Sequence, residues 1–121
     1  MTITLNHTIV PAVDNQAAAR FFATVMGLEY AGPDRHFAPV RVNSTLTLDF
    51  LTVPDPAGHH LAFDVDPATF DGVLARLRAT GTPYGNDPSA PDNGRIDHPL
   101  CARGLYFTDD AGNLFEVMSP A

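Results

Sequence analysis

The sequence predicts an α+β fold: two βαβββ modules in one chain, forming a concave mixed sheet with helices outside. Three observations lead there. The first is an internal repeat. His7-Thr8-Ile9-Val10 with Val13-Asp14, and His60-Leu61-Ala62-Phe63 with Val65-Asp66, each run histidine, short strand, Val-Asp, helix, glycine. The second is that the apolar period changes from two to 3.6 after each Val-Asp. The third is that each half closes with alternating apolar segments that read as paired strands. Module one spans residues 1–57 and module two 58–121, within one domain of 121 residues. The first copy carries one extra residue between histidine and aspartate, which reads as a bulge at Pro11.

Residues 3–10 alternate, with Ile3, Leu5, His7 and Ile9 on one parity, as in a strand. Asp14 suits an N-cap, and Ala18, Phe21, Phe22 and Val25 form the buried stripe of a helix over 15–26. Gly27 is placed to end it. Residues 36–53 read as two strands around a turn at Asn43-Ser44, followed by the breaker-rich linker Pro54-Asp55-Pro56-Ala57-Gly58. The scheme then repeats. Asp66 caps, Pro67 takes the first helical position, and Phe70, Val73, Leu74 and Leu77 form the stripe before Gly81. After a long loop from Tyr84 to Pro99 come strands at 104–108 and 114–118. Another short strand in each half is expected near Tyr30 and Tyr84.

Strand parity sorts the side chains. One face is apolar; the other carries His7, Thr45, Thr47, Asp49, His60, Asp64 and Glu116. In the repeat, Asp49 aligns with Glu116. A carboxylate on an apolar strand is costly to bury unless it is paired or bound to a cation. Two imidazoles and a carboxylate make the facial set that suits Fe(II), and with water Zn, Ni, Co or Mn. Any one of these histidines alone reads better as a strand-end residue bonded to water or backbone. His7, His60 and Glu116 together favour a divalent metal. Asp49 has four readings: a fourth ligand, a base beside the metal, a partner to a ligand histidine, or a structural acceptor.

Composition narrows the partners. Net charge is −7, with 14 acidic residues against 7 basic ones, all arginine, so the basic footprint of a nucleic-acid binder is missing. No apolar run approaches the ~20 residues that span a bilayer. The N-terminus lacks a basic n-region, and the single cysteine, Cys101, allows no internal disulfide, so a cytoplasmic setting is expected. Nucleophile-elbow, P-loop, dinucleotide and C-x-x-C motifs are absent. A small molecule is the expected partner. Arg41, Tyr84, Arg95, His98, Cys101 and Arg103 are candidates to line its pocket, since a loop as long as 84–99 often serves as a lid. Each also reads as an ordinary loop or surface residue.

The chain resembles the vicinal oxygen chelate superfamily, the group of glyoxalase I, fosfomycin resistance, bleomycin resistance and extradiol dioxygenase proteins. The resemblance rests on Asn6-His7-Thr8-Ile9-Val10 with Val13-Asp14, on His60-Leu61-Ala62-Phe63, and most specifically on Asp109-Asp110-Ala111-Gly112-Asn113-Leu114-Phe115-Glu116-Val117. It implies the glyoxalase/bleomycin-resistance fold, with His7, His60 and Glu116 on the family's metal triad. It also implies a homodimer with each site shared between protomers, His7 from one and His60 with Glu116 from the other. Glyoxalase I enzymes typically add a glutamate from the first module; Asp49 stands near that place here. Three activities are implied: metal-dependent lyase, isomerase or transferase chemistry on a small oxygen-chelating molecule, sequestration of a drug without catalysis, or Fe(II) ring cleavage of a catechol-like substrate. The triad weighs against pure sequestration, and the short chain against ring cleavage, since extradiol enzymes usually have four modules. Glu116 and Asp49 are the expected catalytic residues.

Overall fold

The computed structural model describes residues 1–120. Its elements are β1 (His7–Ala12), α1 (Asn15–Met26), β2 (Phe37–Arg41), β3 (Thr47–Thr52), β4 (His60–Asp64), α2 (Pro67–Thr80), β5 (Arg103–Thr108) and β6 (Leu114–Ser119). They make two three-stranded sheets, ordered β1-β3-β2 and β4-β6-β5. In each, the first strand of the module runs parallel to the central strand and the other runs antiparallel. The repeated α+β architecture is therefore present, with the strands divided between two sheets. The division follows from hydrogen bonding. β3 and β6 are each paired on both sides within their own module, and no strand of one sheet pairs with a strand of the other among the described residues.

Local chemistry sets the element ends. The Asp14 carboxylate accepts from the Ala17 N–H at 3.2 Å and opens α1. Gly27 closes it at φ +71°, a conformation that a side chain would strain. A Cβ there would also stand 2.7 Å from the Arg76 guanidinium. That guanidinium donates from Nε to the Val25 carbonyl at 2.8 Å, so α2 satisfies an open carbonyl at the end of α1. Asp66 stands at the N-cap of α2, but its carboxylate takes the Thr69 hydroxyl and caps no backbone N–H.

Two sequence expectations need correction. Pro11 forms no bulge: β1 pairs residue for residue with β3 from His7–Thr47 to Ala12–Thr52, so the extra residue lengthens the strand. Proline is tolerated there because β1 is an edge. The strands expected near Tyr30 and Tyr84 do not join either sheet. The second is reduced to a bridge between Gly85 and Tyr106.

Both helices lie on the apolar side of the sheets and touch each other there. Phe22 of α1 explains how one core serves both modules. Its ring centroid is 5.8 Å from Phe50 of the first sheet, and 5.8 and 4.9 Å from Phe63 and Phe115 of the second. Val10, Val40 and Leu48 are fully buried from one sheet, and Leu105, Phe107 and Val117 from the other. A polar tie reinforces the join. Buried Asn113 accepts from the His59 N–H at 2.9 Å and donates to the Pro11 carbonyl at 2.8 Å and to Asp109 at 2.9 Å. One side chain thus binds β1 of the first module to the turn before β6.

Candidate metal centre

Alternation puts the polar residues on the sheet faces that turn away from this core. In β6, Phe115 and Val117 are fully buried in the core, so Glu116 projects from the opposite face. Ala62 and Tyr106 flank Glu116 on the neighbouring strands, and His60 lies one pleat back along β4. The first sheet repeats this register: Ile9 and Pro39 flank Asp49, and His7 lies one pleat back along β1. The two modules therefore carry histidine and carboxylate in equivalent positions.

In the second sheet the pair is made. His60 Nε2 stands 2.9 Å from Glu116 Oε1, and His98 Nε2 stands 2.7 Å from Oε2. Tyr106 adds a hydroxyl hydrogen bond to the same carboxylate, its ring 5.9 Å from that of His60 and 6.0 Å from that of His98. The carboxylate is nearly buried while His60 is half exposed, so the open side of the cluster is the His60 side. Burial by itself would raise the Glu116 pKa. The bonds from His60, His98 and Tyr106 outweigh it, and the net shift is downward. Burial, then the bond to Glu116 and its charge, push the Tyr106 phenol up to about 12, so it stays a donor at neutral pH.

The donor set suits a divalent ion. Two ligand atoms ~2.1 Å from one ion at a right angle lie about 3.0 Å apart, close to the His60–Glu116 separation of 2.9 Å. The chain alone offers two such donors. Among the described residues no three His, Cys, Asp or Glu side chains are grouped to hold an ion. His7 lies on the other sheet, exposed, with Nδ1 2.8 Å from the Asn6 side-chain oxygen. Asp49 lies with it, half-buried in β3.

Apart from His98, the remaining candidates are engaged in contacts of their own. Arg41 donates to Thr47 and to the Ser44 carbonyl. The Tyr84 hydroxyl accepts from Arg78 at 3.1 Å. Arg95 pairs with Asp97 at 2.8 Å, and Arg103 pairs with Asp71 at 2.6 Å while covering the Phe70 ring. The partly buried Cys101 thiol donates to the Arg103 carbonyl, and burial pushes its pKa up, against a reactive thiolate. Tyr106 was not among the sequence candidates. Its signal was present, since Leu105 and Phe107 are core residues and leave the residue between them on the Glu116 face. A cavity of about 380 Å³ opens beside the cluster, lined by Asn86, Asp97, His98 and Tyr106 among others. Another, of about 400 Å³, lies between the start of α1 and the turn before β6 and is lined by none of the cluster residues.

The repeated modules and the polar cluster on the face away from the core define a chain of the vicinal oxygen chelate type. The family model of the glyoxalase-like domain matches residues 7–118, and the chain belongs to that family. Among solved structures, oxidase ChaP-H2 is 38% identical, with 100% of this chain and 96% of its own covered at a TM-score of 0.90. Oxidase ChaP-H1 is 35% identical, with 99% and 98% covered at 0.89. TnmS3, an antibiotic binding protein from Streptomyces sp. CB03234, is 23% identical, with 100% and 99% covered at 0.72, and shares the fold. No curated protein matches the chain.

Proposed function

We propose that the chain is one protomer of a divalent-metal-dependent enzyme of the vicinal oxygen chelate type, acting on a small molecule through two neighbouring oxygens. The observation that carries this reading is the His60–Glu116 pair, a nitrogen and an oxygen at the separation of two ligands on one ion, with an open side. His7 of a second copy would supply the third donor, making the 2-His-1-carboxylate set that suits Fe(II) and, with water, Zn, Ni, Co or Mn. A homodimer built that way brings the Asp49 face of one copy onto the Glu116 face of the other. The resemblance to two oxidases over essentially the whole chain supports oxidation over isomerisation or thiol addition.

His60 and Glu116, with His7 of the second copy, would hold the ion, which would supply Lewis-acid stabilisation of charge developing on neighbouring substrate oxygens. The protein does the rest. Glu116 is held ionised by His60, His98 and Tyr106, and for His60 Nε2 to ligate an ion beside Oε1 the ring proton between them would have to leave Nε2. Asp49 of the second copy, brought against the Glu116 face by such a homodimer, would accept a substrate hydroxyl proton on its carboxylate.

Elemental analysis of protein purified without chelator tests the reading. Near-stoichiometric metal is expected in the wild type, with loss of most of it in His60→Ala. Protein that is metal-free and refuses added Fe(II), Zn, Ni, Co and Mn would overturn the enzyme reading and leave ligand sequestration in its place.

A further inference from the structure

The segment between α2 and β5 is long, but it is not loose over the site. Gly85 and Tyr106 exchange both backbone hydrogen bonds, at 3.1 and 2.6 Å, and the Gly104 N–H donates to the Ile96 carbonyl at 2.9 Å. Within the segment, Asn86 donates to the Asp97 carbonyl at 2.7 Å, and Asn93 accepts from the N–H groups of Asn86 and Arg95. These bonds carry His98 down onto the sheet. Its side chain is 1% exposed, although it comes from a loop.

Both nitrogens of that ring are committed. Nδ1 accepts from the Leu100 N–H at 3.1 Å. A backbone N–H only donates, so Nδ1 is bare and the ring proton sits on Nε2, which points at Glu116 Oε2 from 2.7 Å. For Nε2 to ligate a metal, the proton would have to move to Nδ1, against the Leu100 N–H. The ring packs beside Tyr106 at a 25° interplanar angle and lies directly over Gly104, where a Cβ would come within 2.5 Å of it. Glycine at 104 thus leaves the space that the imidazole fills.

We infer that His98 is a positioning residue: it holds Glu116 Oε2 and so restricts the carboxylate to ligation through Oε1 alone. The inference rests on the metal reading above. It adds a reason for the open coordination positions that a substrate with two neighbouring oxygens requires. A carboxylate free to chelate through both oxygens would fill one of those positions itself; the donor on Oε2 prevents this. It also couples the loop to the metal, because the residue that orients Glu116 belongs to the segment bordering the adjacent cavity.

Two measurements test it, with Co²⁺ as the probe. In metal-free wild-type protein labelled with ¹⁵N, long-range ¹H–¹⁵N correlations should show His98 protonated on Nε2 and bare on Nδ1; the opposite tautomer overturns the inference. In the Co²⁺-loaded proteins, His98→Gln, which keeps a donor N–H, should retain the wild-type visible spectrum. His98→Leu should lose d–d band intensity as Glu116 takes up two-oxygen ligation. A His98→Leu spectrum equal to wild type overturns the inference while leaving the metal site standing, and so does a changed spectrum in His98→Gln. If His98→Leu does not fold, the tautomer and His98→Gln decide the matter. Wild-type protein that takes up no Co²⁺ removes the metal reading and this inference with it, an outcome distinct from the others.

Discussion

Glu116 is a strand carboxylate almost out of reach of water, received by His60, His98 and Tyr106. Those bonds hold its folded pKa below the ordinary value, so folding favours the ionised form. The sign follows from linkage. The stability it contributes is present above the ordinary carboxylate range and is lost as pH falls through the depressed folded value. Glu116→Gln should therefore be less stable than wild type at neutral pH, with the difference shrinking in acid. Thermal melts of both proteins from pH 7 to pH 3 check this; a difference that does not narrow would mean that the charge is not what the cluster holds. Parity made His60 and Glu116 legible, because alternation along a strand fixes which face a side chain takes. The same rule contained Tyr106. It could not reach the role of His98, which depends on how a loop folds back across a sheet and on a backbone N–H two residues further on.

At the scale of the elements, caps were legible and long-range ties were not. Asp14 and Gly27 bound α1 at the positions that the sequence indicates, since both act on neighbours within a few residues. Asp66 shows the limit: the Thr69 hydroxyl competes for its carboxylate, and the cap bond is not made. The Tyr84 region read as a strand because Tyr84 stands three residues after Gly81, as Tyr30 does after Gly27, but only Gly85 finds a strand partner. Asn113 was legible as part of a turn motif, not as the link between modules. Its amide answers Pro11, Asp109 and His59 at once. Asn113→Ala removes the side-chain partner of the Pro11 carbonyl and the His59 N–H and one of the bonds to Asp109, and should destabilise the protein by about 3 kcal/mol. Urea unfolding measures this; a loss below about 0.5 kcal/mol, the range of an ordinary surface change, would contradict the role.

The whole molecule is unfinished on one side. Ile9 is 45% exposed on the His7 face of the first sheet, and Leu5 and Ile3, just before β1, are more exposed still. Clustered exposed apolar residues on a sheet edge mark a contact surface. The proposed homodimer would cover them, and Ile9→Asp should shift the protein to monomer in analytical ultracentrifugation with its fold intact; an unchanged dimer would place the interface elsewhere. The repeat made the two modules and their matching histidine and carboxylate positions legible. The separation of the sheets within one chain was not, because alternation assigns faces without saying which sheets meet.

The site shared between copies is the central claim, and subunit exchange tests it most directly. His7→Ala and Glu116→Ala proteins, each depleted of metal, are mixed under conditions where exchange is shown by mass-tagged protomers, and bound metal is then measured. Each mixed dimer regains one intact site, so statistical exchange should restore about a quarter of the wild-type metal content. Demonstrated exchange with no recovery would contradict the account, and would place His7 outside the metal site or the whole site within a single chain.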